Sequence, residues 1–168
     1  MKRIIALISI ILSTLALDQI SKAIVVNTMT YGEIGTIPII PNFLHLTYIH
    51  NDGMAFGLAD NTVGRVIFMA VSTVAIIGIG IYLFRFCKEG MLLQTGLALI
   101  VSGGIGNMID RIFRYNVIDM IDFRGIWHYI FNVADAFVCI GAFIVALALI
   151  LSIIKEKKNP KEDKNGNK

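Results

Sequence analysis

The chemistry open to this chain rests on its carboxylates. Asp18, Asp110, Asp119, Asp122 and Asp135 lie in or beside apolar segments, with Lys22, Asn107, Arg111 and Asn132 close to them in sequence. Two carboxyl groups a few ångströms apart cannot both ionise easily, so they share a proton. One can then take a proton from water while the other gives one to a carbonyl oxygen. That arrangement hydrolyses a peptide bond with no metal or cofactor. Other nucleophiles are scarce. Cys87 and Cys139 are far apart and away from the histidines. No GxSxG elbow, HExxH helix or GxxxxGK[ST] loop occurs. His45, His50 and His128 are too scattered for a metal site, and none is expected. Spacing alone leaves Asp119, Asp122 and Asp135 all open as members of a pair. It also leaves open a small transporter or channel with its aspartates along a polar path.

The elements that position these groups are apolar. The 168 residues are 56% hydrophobic and 16% charged, whereas a soluble domain carries about a quarter charged residues. A membrane-crossing helix needs roughly 20 apolar residues. Four runs qualify: Ile4 to Val26, Val63 to Phe86, Met91 to Ile109, and Ala134 to Ile154. The first follows Lys2 and Arg3, but it lacks a small-x-small cleavage site and resumes as "LALDQISKAIVV", so a retained span is expected. The short connector "CKEG" makes the middle two runs an antiparallel hairpin. Residues 155–168, "KEKKNPKEDKNGNK", form a polar basic tail that cannot bury enough surface to fold alone.

Charge fixes the direction. Lys2, Arg3, Arg85, Lys88 and the lysines of the tail are ten of the 15 basic residues. Cytoplasmic loops carry the excess of lysine and arginine. Both termini are therefore expected inside, with the two long connectors outside. In the first connector, "FLHLTYIH" has the pattern of a short strand, and Pro38 and Pro41 mark turns. The predicted fold is an all-α membrane protein: a four-transmembrane-helix bundle, both termini cytoplasmic, with a small extracytoplasmic connector containing β-sheet. Residues 1–154 form a single integral-membrane domain and residues 155–168 a cytoplasmic tail.

Depth brings the polar groups together. At 1.5 Å per residue, Asp18 lies roughly 21 Å up the first span and Asn107 roughly 24 Å up the third. Asp135 begins the descending fourth span at a similar height. Asp18 and Lys22 are spaced i, i+4, and Asn107, Asp110 and Arg111 are spaced i, i+3, i+4, so each set shares a helix face. Gly103, Gly104 and Gly106 permit close approach of another backbone. Ionisable groups at membrane depth are costly and face a cavity or a partner. Plainer roles exist for each: a structural Asp18–Lys22 ion pair, an interfacial anchor at Asp110, Arg111 and Arg114, a helix-start acid at Asp135. Trp127 and Tyr129 suit an interfacial aromatic belt.

Five blocks carry a resemblance: "DQISK" at 18–22, "NDGMAFG" at 51–57, "GGIGNMIDR" at 103–111, "VIDMIDF" at 117–123 and "FNVADAF" at 131–137. In this order they resemble the bacterial lipoprotein signal peptidases, the signal peptidase II family. The resemblance implies a four-span membrane aspartic endopeptidase of the bacterial cytoplasmic membrane, acting at its extracytoplasmic face. It implies cleavage of diacylglyceryl-modified prolipoproteins on the N-terminal side of the lipidated cysteine, and inhibition by the cyclic peptide globomycin. It assigns the dyad to Asp119 and Asp135. Asp18, Lys22, Asn51, Gly53, Gly104, Asn107, Arg111, Asn132 and Ala134 match family positions near the site, with Asp110 and Asp122 in supporting places. Arg111 is expected to position Asp110 or a lipid headgroup. No cofactor, metal or nucleic acid is implied, and one chain is expected to act as a monomer in membrane lipid. Two rivals are weaker. A presenilin-like protease would carry a GxGD block, which is absent. An ion path would carry charge through the full depth, whereas the inner halves of all four spans read as uniformly apolar.

Overall fold

In the computed structural model, residues 1–51, 62–88 and 90–158 are described. Four long helices dominate: α1 (Lys2–Thr28), α2 (Thr62–Ile81), α3 (Met91–Arg114) and α4 (Val133–Lys158). All four are long and apolar enough to cross a membrane. A three-stranded antiparallel sheet completes the fold, ordered β1 (Ile37–Ile40), β2 (Leu44–Asn51) and β3 (Val117–Phe123). β1 and β2 come from the first long connector, β3 from the second.

α3 is the buried helix, and α1, α2 and α4 pack around it. Glycine allows the tightest contact. A Cβ on Gly96 would lie 2.8 Å from the Gly141 carbonyl oxygen, and one on Gly141 would lie 2.6 Å from that of Gly96. The α3 and α4 backbones therefore touch, as small residues permit where lipid supplies no hydrophobic drive. Elsewhere the spans expose large apolar side chains such as Ile67, Val74, Phe143 and Ile153. In lipid that exposure costs nothing.

Three boundaries differ from the hydropathy pattern. α3 continues one turn past Ile109, to Arg114, and stops at Tyr115, whose φ of 65° is left-handed. The added turn carries Asp110, Arg111 and Arg114, and cations near a helix C-terminus oppose its dipole. α2 gives way to a π-helical turn over Tyr82–Phe86, closed by Cys87 N–H donating to the Tyr82 carbonyl at 2.7 Å. α4 extends through Lys158, beyond Ile154; residues 159–168 of the tail lie outside the described residues.

The lower halves of the spans are not uniformly apolar. Arg3 Nε donates to Gln94 Oε1 at 2.7 Å, and its Nη2 donates to the Leu83 and Cys87 carbonyls at 2.9 and 2.6 Å. One guanidinium thus ties the start of α1 to α3 and to the carbonyl end of the π turn. Higher up, Thr14 Oγ1 donates to Ser102 Oγ at 2.6 Å. These groups are paired within the bundle and form no charged path. Arg3→Ala should lower the thermal midpoint in detergent, by the loss of about 1.5–3 kcal/mol per charged hydrogen bond at most.

Candidate active site

β3 carries Asp119 to the mouth of the bundle. It was not foreseen as a strand, because "VIDMIDF" does not alternate and its residues are mostly buried. A local irregularity explains the pattern: Met120 N–H and Ile121 N–H both donate to the Phe131 carbonyl, at 3.0 and 2.7 Å. Two residues opposing one is the mark of a bulge, which re-aims side chains. Ile121 also pairs with Phe131 in an isolated bridge. β3 is thereby stitched to the segment that starts α4.

Asp135 is placed by the start of α4. Asn132 Oδ1 accepts from Asp135 N–H at 2.9 Å, and Asp135 Oδ2 accepts from Asn132 N–H at 3.2 Å. This is a reciprocal capping box built on asparagine and aspartate. A second cap comes from far away in sequence: Asp18 Oδ1 accepts Ala134 N–H at 2.9 Å. Ala134 is fully buried, and the α3 glycines explain why it is small. A Cβ on Gly106 would sit 3.3 Å from the Ala134 Cβ and 2.6 Å from Asp18 Oδ2, and one on Gly103 would collide with the Ala134 carbonyl.

Asparagines join the two carboxylates. Asn132 Nδ2 donates to Asp119 Oδ1 at 2.6 Å and to Asn107 Oδ1 at 3.1 Å. Asn107 Nδ2 donates to Asp135 Oδ1 at 2.7 Å. Asn51 Nδ2 donates to Asp119 Oδ2 at 2.8 Å. Asn132 is fully buried; three of these bonds orient a carboxylate without adding charge, and the fourth links the two amides. Burial pushes the Asp119 carboxyl up to about 6, and the charge of Asp135 adds to the rise, while the N–H donors of Asn51 and Asn132 oppose it.

Beneath lies a buried ion cluster. Lys22, fully buried, places Nζ 2.9 Å from Asp18 Oδ2, 2.8 Å from Asp110 Oδ2 and 3.1 Å from Asn107 Oδ1. Arg114, not Arg111, is the second cation on Asp110. Their i, i+4 spacing on α3 sets that pairing. Arg111 donates instead to the Asn107 carbonyl at 3.3 Å, with its guanidinium carbon 5.7 Å from the Phe68 ring centroid. Gln19 Nε2 contacts Asp18 Oδ2 at 3.0 Å and the Gly106 carbonyl at 3.2 Å. Gln19 and Arg114 escaped selection as site residues, although both are polar and adjoin the chosen aspartates.

Other expected residues fall further out. Gly104 faces α2, where a Cβ would meet the Ile76 side chain at 2.5 Å. Asp122 Oδ2 accepts from Thr47 Oγ1 and Arg124 Nε, both at 2.9 Å. Thr47 Oγ1 in turn lies 2.9 Å from Thr36 Oγ1, so Asp122 pins the strands together. Gly53 lies outside the described residues, with most of the "NDGMAFG" block. Asn51, the first residue of that block, is at the site.

The arrangement links a buried aspartate, Asp119, to a half-buried one, Asp135, through the amides of Asn132 and Asn107. Known proteins resemble the chain along most of its length. A family model described as signal peptidase (SPase) II matches residues 10–151. A lipoprotein signal peptidase of Fusobacterium nucleatum is 46% identical over 142 residues, covering 82% of each chain. One from Clostridioides difficile is 41% identical over 143 residues, covering 85% of this chain and 93% of that one. A solved structure described as a bacterial membrane enzyme, obtained by the in meso method, superposes with a TM-score of 0.78 at 28% identity, covering 95% of this chain and 93% of the other. With its four membrane-capable helices and buried aspartates, the chain belongs to the signal peptidase II family of aspartic-type membrane peptidases.

Proposed function

We propose that this enzyme removes signal peptides from diacylglyceryl-modified prolipoproteins, cleaving N-terminal to the lipidated cysteine, with Asp119 and Asp135 as the dyad. The observation that carries the proposal is the amide bridge: Asn132 and Asn107 tie the Asp119 and Asp135 carboxyls into one hydrogen-bonded unit. A water held by the pair is the nucleophile. One carboxylate takes its proton as it attacks the scissile carbonyl, and the other protonates the carbonyl oxygen and then the leaving amine. Charge supports the assignment. Asp18, Asp110, Asp119 and Asp135 face Lys22, Arg111 and Arg114, so the group is neutral when the dyad holds a single proton.

In this reading both termini are cytoplasmic and the sheet lies on the extracytoplasmic face of the bacterial inner membrane, as the lysine and arginine bias requires. The acyl chains of the substrate stay in the outer leaflet, which keeps the scissile bond at the level of Asp135. The residues of the site all come from one chain, so a monomer suffices. Globomycin is expected to occupy the same place. The test is gel-shift cleavage of a diacylglyceryl-modified prolipoprotein by the purified protein in detergent. Cleavage stopped by globomycin supports the proposal; an intact substrate with a folded enzyme overturns it.

The raised Asp119 carboxyl gives a pH dependence with a definite sign. The native chain holds a proton that the unfolded chain has already lost, so stability from this group falls as pH rises from the ordinary carboxylate range to about 6. The shared proton leaves above that point. Turnover should therefore decline as pH rises through about 6, read as the alkaline limb of a pH–rate profile for the pair. A flat profile from pH 5 to 8 would remove Asp119 from the titrating pair.

A further inference from the structure

We infer that Phe68 is a positioning residue for Arg111, holding its guanidinium over the site; the inference rests on the peptidase reading above. α2 meets α3 along a seam. Ile76 fills the notch left by Gly104, and Thr73 Oγ1 lies 3.2 Å from Met108 Sδ. Phe68 continues that seam toward Arg111, with its ring 5.7 Å from the Arg111 guanidinium carbon. A cation within about 6 Å of a ring centroid is attracted to its face, more strongly when desolvated.

Arg111 needs such a hold. An arginine at membrane depth swings its head toward water, trailing its apolar stem. Among the described residues, the Asn107 carbonyl is its one hydrogen-bond acceptor, at 3.3 Å. A guanidinium has five N–H donors in a fixed fork, so the described residues leave most of the fork to meet a substrate carbonyl or an anionic group. The ring sets its direction without competing for those donors, since it accepts no strong hydrogen bond. Asn107 also holds Asp135 through Nδ2, at 2.7 Å. Asn107 therefore touches Arg111 through its carbonyl and Asp135 through its side chain. Loss of the ring frees Arg111 to turn toward the headgroups and leaves the amide bridge in place.

The test uses wild type, Phe68→Leu, Phe68→Tyr, Phe68→Trp, Arg111→Gln and the Phe68→Leu/Arg111→Gln double variant, all full-length in detergent. Cleavage of a diacylglyceryl-modified prolipoprotein is measured as kcat and KM. Phe68→Leu should lower kcat/KM about tenfold, Phe68→Tyr and Phe68→Trp should restore most of it, and Phe68→Leu should add little to Arg111→Gln. Wild-type rates in Phe68→Leu, no rescue by another aromatic ring, or an equal loss in the Arg111→Gln background would each overturn the inference. A wild type that fails to cleave sinks the peptidase reading instead. Thermal midpoints of the same chains then decide the contact alone: non-additive shifts support it and additive shifts overturn it.

Discussion

Asp119→Asn should cleave about 10⁴-fold more slowly than wild type while melting at nearly the same temperature. The carboxamide keeps the shape of the side chain and cannot shuttle a proton. Its effect on stability follows from the donors around it. Asp119 accepts from Asn132 Nδ2 and Asn51 Nδ2. An asparagine there offers one acceptor and one NH₂ group, so one neighbour must turn its amide over. Asn132 cannot, because its Oδ1 already accepts from Asp135 N–H. The turn falls to Asn51, the last residue of the central strand β2, whose partial exposure lets water meet a displaced amide. Asp135→Asn should be equally inactive and less stable. Asp135 accepts from Asn107 Nδ2 and from Asn132 N–H. The backbone donor cannot turn, and Asn107 needs its Oδ1 for Lys22 and Asn132. A donor is left unpaired, at about 1–3 kcal/mol. Gel-shift kinetics beside a thermal melt separate the two variants. Full activity in either would sink the dyad.

The largest effect on folding is expected at Lys22. Lys22→Met keeps the apolar stem and removes a cation that touches Asp18, Asp110 and Asn107 together. Breaking a buried pair by removing one partner costs about 3–5 kcal/mol, because a charge is left uncompensated. Asp110 retains Arg114. Among the described residues, Asp18 keeps only neutral donors, Ala134 N–H and Gln19. Lys22→Met should therefore appear as poorly folded protein on size exclusion. Adding Asp18→Asn should recover much of the midpoint, since it removes the stranded charge. No recovery would mean that Lys22 acts through packing rather than charge.

Much of this site was legible in the sequence, for a physical reason. A charged group in an apolar run is expensive, so Asp18, Lys22 and Asp110 advertise themselves, and the 3.6-residue period puts them on faces. Helix extents followed from hydropathy to within a turn or so. What hid was geometry that depends on neighbours. β3 was hidden because it is buried on both sides and bulged, so the period of two is lost. Arg114 displaced Arg111 as the partner of Asp110 because α3 continues another turn. Arg3, apparently one more inner-side cation, turned out to be a tie between helices. Nothing in the sequence marks Phe68, whose role depends on α2 packing against α3. Gly104 and Gly106 looked alike in "GGIGN", yet one makes room for Ile76 and the other for Asp18 and Ala134.

The bond from Ala134 N–H to Asp18 joins the last helix to the first. Its consequence concerns biosynthesis. A chain emerging from the ribosome inserts α1 early and α4 last. Until α4 arrives, Asp18 has no Ala134 amide to cap, and Asp119 has neither Asn132 nor Asp135 beside it. The polar cluster is thus completed only when the last helix packs, so its assembly reports that insertion is finished.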